Sequence, residues 1–127
     1  MSTANKEVVR RYYEAWGQQD LETAAAMVTE DFINNSSTSQ GREGIYEEGQ
    51  FWFSAFPDAK VSIEELLADG DKVVARPSTT ATHRGEFSVE ISEIDIFRVE
   101  NGLIAEAWAA PDIYGLLSQI GVLGEPE

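Results

Sequence analysis

The chain has no cysteine and a single histidine, and each scarcity removes a class of chemistry. Without cysteine there are no disulfides, no thiolate nucleophile and no sulfur-held zinc or iron–sulfur centre. With His83 as the one imidazole, a multi-histidine metal site is excluded too, so neither a metal nor another cofactor is expected. Positive charge is also scarce: nine Lys and Arg stand against 23 Asp and Glu, a formal net charge of -14. A phosphate backbone or an anionic membrane surface would repel such a chain. Nucleic acid and membrane are therefore not expected partners, and the acidity reads as solubility. No run approaches the ~18 apolar residues of a membrane span, and Met1 to Asn5 show no basic region leading into an apolar one, so a cytoplasmic protein is expected. Phosphate-cradling glycine loops, G-x-S-x-G elbows and calcium loops are missing as well.

What is present is a core. Hydrophobic residues make up 43% of 127 residues, with three tryptophans among them, which is too apolar for a disordered tail and the usual size for one domain. A single domain over residues 1–127 is expected. Val8, Val9, Tyr12, Tyr13 and Trp16 recur at three-and-four spacing and predict a helix over residues 5–17, with Ser2 or Thr3 as caps and Gly17 as its end. Leu21 to Val28 reads as a second, alanine-rich helix, and Phe32 to Asn35 as a brief strand. A small, polar loop from Ser36 to Gly44 leads to a third helix carrying Ile45, Gly49, Trp52 and Phe56 and stopped by Pro57.

From Lys60 to Ala110 the pattern is strand: Val61–Leu67, Val73–His83, Glu86–Val99 and Leu103–Ala110, broken by turns at Asp69-Gly70-Asp71, Arg84-Gly85 and Asn101-Gly102. Pro77 lacks an N–H and predicts a bulge or an edge there. A last amphipathic segment, Ile113 to Ile120, follows Pro111-Asp112 and leaves an acidic tail. Helices followed by a long antiparallel meander make an α+β domain, with helices laid over one face of a curved sheet.

The third strand of the meander carries the candidate chemistry. Its odd-numbered face reads Phe87, Val89, Ile91, Glu93, Asp95, Phe97 and Val99, an apolar row interrupted by two acids. A three-residue loop, Glu100-Asn101-Gly102, would pair Val99 with Leu103, Phe97 with Ala105, Asp95 with Ala107 and Glu93 with Ala109, facing the acids with alanines. A two-residue Asn-Gly turn is the competing geometry and shifts the register by one. Solvated, the two acids are an ordinary strand surface; buried, they would have raised pKa values and serve as acid or base near neutrality. His83 is either structural or the third proton carrier. Trp16, Trp52 and Phe56 belong to the core or to the wall of a ligand pocket, which in a hollow cone is one surface. On the opposite face Ile94, Ile96 and Trp108 come together, and a homodimer through that face is expected.

Four stretches together resemble the SnoaL-like polyketide cyclase family of the NTF2-like superfamily: Asn5–Asp20, Ala55–Arg76, Thr80–Phe87 and Ile94–Gly121. The resemblance implies an NTF2-like (cystatin-like) cone, a curved sheet with N-terminal helices enclosing a pocket for a hydrophobic small molecule, often dimeric through the sheet's outer surface. It also implies cofactor-independent acid/base chemistry of the cyclase or isomerase type on a polyketide-like or carbonyl substrate, with a hydroxylase or hydrolase, or a non-catalytic binding domain, as alternatives. Asn34 falls at the family's pocket asparagine, Asp95 at its strand histidine and Glu93 at a glutamine. The family's catalytic aspartate is replaced by Ala109, and Asp112 matches a second acid. A Gly-Pro-rich loop usual near Phe87 to Ile91 is missing. The expected catalytic residues are Asp95, His83 and Glu93, and the expected substrate-binding residues are Asn34, Trp16, Trp52, Phe56, Phe97, Ala109 and Asp112.

Overall fold

The computed structural model describes residues 2–83 and 87–121; the expected Arg84-Gly85 turn and the acidic tail lie outside the described residues. The elements run α1 (Ser2–Gly17), α2 (Leu21–Ala26), β1 (Val28–Asn34), α3 (Gly41–Ala55), β2 (Lys60–Asp69), β3 (Lys72–His83), β4 (Phe87–Glu100), β5 (Leu103–Pro111) and α4 (Ile113–Gln119). The strands form one five-stranded sheet in the order β1-β5-β4-β3-β2, antiparallel except where β1 runs parallel to β5.

α1 forms because its apolar stripe can be buried whole. Val9, Tyr12 and Tyr13 are buried and Val8 and Trp16 half-buried against the sheet residues Val73, Ala75, Phe97 and Val99. Each large side chain so covered contributes roughly 1.5–3 kcal/mol, and the Tyr12–Phe97 and Tyr13–Phe97 rings meet edge to face at 5.8 and 5.7 Å. Gln19, in the left-handed region at φ 58, turns the chain after the helix, and its side-chain amide donates to Pro57 O at 2.7 Å. Asp20 then caps α2, accepting from Thr23 N at 3.1 Å. α3 starts earlier than the expected loop allowed, at Gly41, and is drawn against α2 at Gly49, where any Cβ would collide with the Leu21 side chain.

A second core lies toward the other end of the sheet, where Phe56, Ala59, Ala81, Val89 and Ile91 are closed over by Leu116 of α4. The Gln119 side chain fixes α4 there by exchanging two hydrogen bonds, 2.8 and 2.9 Å, with the backbone of Glu90, as a neighbouring strand would.

Pro77 sits in an inner strand rather than at an edge. The irregularity it demands is taken up on both sides: β2 shifts register between Ile63 and Glu65, and the β3–β4 ladder has no pairs at Arg76 and Pro77.

The β4–β5 hairpin corrects the expected register. Glu100 pairs with Leu103, so the loop is the two-residue Asn101-Gly102, both residues at positive φ (51 and 79) as a primed turn requires. That turn follows the natural strand twist, which is why it prevails. The register then shifts again between Arg98 and Val99, leaving Ala105 unpaired, so that Phe97 faces Ala107, Asp95 faces Ala109 and Glu93 faces Pro111. Ala105 and Ala107 both stay buried on the inner side as a result.

The outer sheet face keeps a row of apolar side chains: Leu67 opposite Val74, Val74 opposite Ile96 and Ile96 opposite Trp108, with Ile94 beside them. Leu67 and Ile94 are more than half exposed, at 60% and 55%. No helix among the described residues is long and apolar enough to cross a membrane.

Gly102 has open space around any added Cβ, so Gly102→Ala tests the turn's backbone alone. The left-handed penalty of about 1 kcal/mol should lower the melting temperature by about 3–5 °C. An unchanged melting temperature would contradict the primed turn.

Candidate functional site

The alternation of β4 turns Asp95 inward, and the site is built around it. Asp95 is 3% exposed, between Phe97 and the apolar pair Val89 and Ile91 farther along the same face. Its partner comes from the helix layer: the Tyr13 hydroxyl donates to Asp95 Oδ2. Tyr13 is held in place by the edge-to-face contacts with Phe97 and with Tyr12, at 6.2 Å. The other carboxyl oxygen, Oδ1, is buried without a well-formed hydrogen bond among the described residues, and the backbone N–H of Ala110 on the facing strand also favours the charged carboxylate. The neighbouring Glu93 carboxyl bears on Asp95 through hydrogen bonding and charge.

Glu93 lies two residues along the same face, opposite Pro111 and, by the register of the flanking pairs, across from Pro77. Glu48 of α3 adds a third carboxylate whose charge reaches Glu93 and Tyr12. Asn34 Nδ2 donates to Glu48 Oε1 at 3.1 Å, while Asn34 Oδ1 accepts from Ser36 N at 3.0 Å. Asn34 therefore touches the acidic group through Glu48.

Burial sets the electrostatics. It pushes the Glu93 carboxyl strongly upward, helped by the hydrogen bond to Asp95 and by the charges of Asp95 and Glu48. Burial also raises Asp95, against which the hydrogen bonds from Glu93 and Tyr13 stabilise its charged form. Both carboxyls are thus pushed up, Glu93 the more strongly, and the two titrate as one coupled unit. Tyr12 and Tyr13 are raised far above the ordinary phenol range, mainly by burial, and remain protonated. Carboxyls raised in this way can exchange a proton at higher pH than free acids do.

The remaining expected residues fall in three places. Phe97 and Ala109 adjoin Asp95, one beside it on β4 and one directly opposite on β5. Trp16 packs on Tyr12 and Phe53 at 6.2 and 6.0 Å, at the α1–α3 seam. Trp52, Phe56 and His83 form a separate aromatic stack, with centroids at 4.4 and 5.3 Å. His83 does not join the acids: it is eight residues along β3 from Ala75, the partner of Asp95, a separation of about 25 Å along the strand. Asp112 is exposed and caps α4, accepting from Gly115 N at 2.8 Å. Where the family inserts a loop, β4 runs on unbroken from Phe87.

Tyr13 is the side chain of this cluster that sequence reasoning missed, because a tyrosine in an apolar helical stripe reads as core. The available signal was its hydroxyl, since a buried phenol requires a partner.

Two clefts open near these residues. One, of about 360 Å³, lies between α1 and β2 and includes Tyr13 in its lining. The other, of about 550 Å³, lies between Asp58, Lys60, Thr82 and Gln119. Among the described residues no three His, Asp or Glu side chains converge as a metal site.

A curved mixed sheet wrapped round helices, with titratable groups on its inner face, is a cone of the cystatin fold. The chain belongs to the SnoaL-like polyketide cyclase family, whose model matches residues 6–120. Among solved structures it is similar to a candidate polyketide cyclase from Bacillus cereus ATCC 10987, with 33% identity over 94% of this chain and 82% of that one and a TM-score of 0.86. It is also similar to wild-type IdmH, a candidate polyketide cyclase from Streptomyces antibioticus, at 26% identity over 92% and 98% of the two chains and a TM-score of 0.84. AclR, a candidate hydroxylase from Streptomyces galilaeus, shares the fold at 23% identity over 100% and 87%, with a TM-score of 0.88. None of the curated proteins matches the chain's sequence.

The raised Glu93 carboxyl gives stability a definite pH dependence. Its contribution is fully present below the unfolded glutamate value and is lost as pH rises through the higher folded value. Glu93→Gln, which cannot lose a proton, should therefore gain on the parent protein as pH rises from about 4.5 to about 8, by roughly 1 kcal/mol or more. Urea denaturation across that range measures it. A constant difference would mean that Glu93 titrates normally.

Proposed function

We propose that the protein is a cofactor-independent enzyme that moves a proton on a hydrophobic, polyketide-like carbonyl substrate, in the manner of a cyclase or isomerase. The observation that carries this reading is the buried Asp95, bonded on one oxygen by the Tyr13 phenol and with the Glu93 carboxyl two residues along the same strand face. Asp95 is the base and Glu93 its proton-holding partner. Removing a proton from the carbon beside a carbonyl gives an enolate, which either takes the proton back elsewhere or closes a ring on a second carbonyl. Both outcomes need one group that accepts and then returns a proton, and both suit a pair that carries a single charge.

The loss of the family's acid at Ala109 fits this assignment. Directly opposed residues of neighbouring strands hold their Cβ atoms about 4.5–5.5 Å apart, and Asp95 is the residue opposite Ala109. A carboxylate on β4 thus reaches much of the space that one on β5 would fill, and the short alanine side chain does not compete for it. His83, far along β3, is assigned to the wall of the aromatic stack with Trp52 and Phe56. The second reading, a binding domain without catalysis, is favoured by one fact: neither cleft is lined by Asp95 or Glu93 themselves.

Exchange of the α-protons of 2-tetralone in heavy water, followed by NMR, separates the two. The enzyme reading expects protein-dependent exchange that Asp95→Asn slows by about 10²–10⁴-fold. Exchange indifferent to Asp95→Asn would leave binding alone.

We further propose a homodimer through the outer sheet face, supported by the continuous row Leu67, Val74, Ile96 and Trp108 with Ile94 beside it. Light scattering should give the mass of two chains, and Trp108→Glu should return that of one. A parent protein that is monomeric at micromolar concentration contradicts the dimer.

A further inference from the structure

The groove between α1 and β2 has the charge pattern of a ligand site. Its floor is apolar, made by Val61 and Ile63 of the edge strand, and its rim carries Arg10 and Lys60. Cations are few in this chain, and nearly all the described ones are engaged by carboxylates: Arg10 and Arg11 by Glu7, Arg42 by Glu30, Lys72 by Asp71, Arg76 by Glu65, and Arg98 by Glu100 and Glu106. Lys60, which stands between the two clefts and borders both, has no carboxylate within salt-bridge distance among the described residues; Lys6 shares that property but lines neither cleft. Asp58, the acid whose charge Lys60 influences, is itself taken up by Thr82 N at 2.8 Å. Glu14 is the one acid in the lining. In a chain of net charge -14, an unpaired ammonium above an apolar floor complements an anion attached to an apolar body.

Tyr13, 8% exposed, borders the groove and carries a hydroxyl that is buried on its inner side. It lines the groove and its hydroxyl is bonded to Asp95, a combination that no other residue of the lining shares.

We propose that this groove is the substrate port, taking an apolar ring compound that bears a carboxylate or enolate oxygen, and that Tyr13 is a further catalytic residue passing the proton to Asp95. The inference rests on the proton-transfer reading above for its chemical step, though not for binding. In that step the Tyr13 oxygen takes the proton from the carbon beside the substrate carbonyl while its own proton passes to Asp95. The C–H electron pair becomes the enolate, whose charge lies beside Lys60 and Arg10, and the buried pair goes from one negative charge to none. Neutralising a buried charge while creating an exposed one beside cations favours this direction. The reverse relay returns the proton to another carbon, or to the alkoxide formed when the enolate adds to a second carbonyl.

The binding arm of the test titrates 2-naphthoate into isotopically labelled protein. NMR shifts are expected at Gly17, Lys60 and Val61, with affinity about three- to five-fold weaker in Lys60→Met; the neutral methyl ester should not distinguish the two proteins. Shifts confined to another surface, or equal affinity for Lys60→Met, would overturn the port. The relay arm compares Tyr13→Phe with Asp95→Asn in 2-tetralone exchange, and both should lose about 10²-fold or more. If Asp95→Asn is slow and Tyr13→Phe is not, the relay falls and the base assignment stands. If neither variant is slow, both fall. Should Tyr13→Phe fail to fold, the Lys60→Met comparison still decides whether the port exists.

Discussion

The contact between the Tyr13 hydroxyl and the buried Asp95 carboxylate ties the two layers of this protein together. A carboxylate as enclosed as Asp95 is costly unless it is hydrogen-bonded or shares a proton, and here both remedies operate at once. The phenol comes from α1, and the adjacent Glu93 carboxyl, itself pushed up by burial, is placed to share a proton. Each remedy constrains the fold: α1 must lie across β4 with Tyr13 at one height, and β4 must present positions 93 and 95 on the same inner face. The edge-to-face rings of Tyr12, Tyr13 and Phe97 hold that height.

Around this contact the sheet departs from regularity where it matters. Pro77 interrupts the ladder on one side of Glu93, Pro111 stands on the other, and a bulge near the hairpin sets Ala109 against Asp95. These irregularities bring small or ring-shaped neighbours beside the acids in place of side chains able to pair with them. Burial then acts on Glu93 with little opposition.

Much of this was legible in the residues themselves. Period-two alternation put Glu93 and Asp95 on one face with Val89, Ile91, Phe97 and Val99 and left open whether that face was wet; the structure buries Asp95 there. Period-three-and-four spacing gave α1 its buried stripe, and the missing N–H of Pro77 implied the register shift seen opposite it. These are local consequences of side-chain direction and backbone chemistry, which a sequence carries directly.

Tertiary structure decided the rest. Whether Asn101-Gly102 closes as two residues or joins Glu100 in three depends on how two twisted strands meet, and the compensating bulge at Ala105 depends on both inner alanines seeking burial; neither is local. His83 and Asp95 look equally available in one dimension, but extension along β3 separates them by a large part of the sheet's length. Tyr13 and Asp95 are 82 positions apart and share no pattern. They meet because a helix and a strand, each placed by its own apolar face, bring a buried donor and a buried acceptor to the same point. The sequence by itself determined which face each element would hide; which hidden groups would touch was decided only when those faces came together.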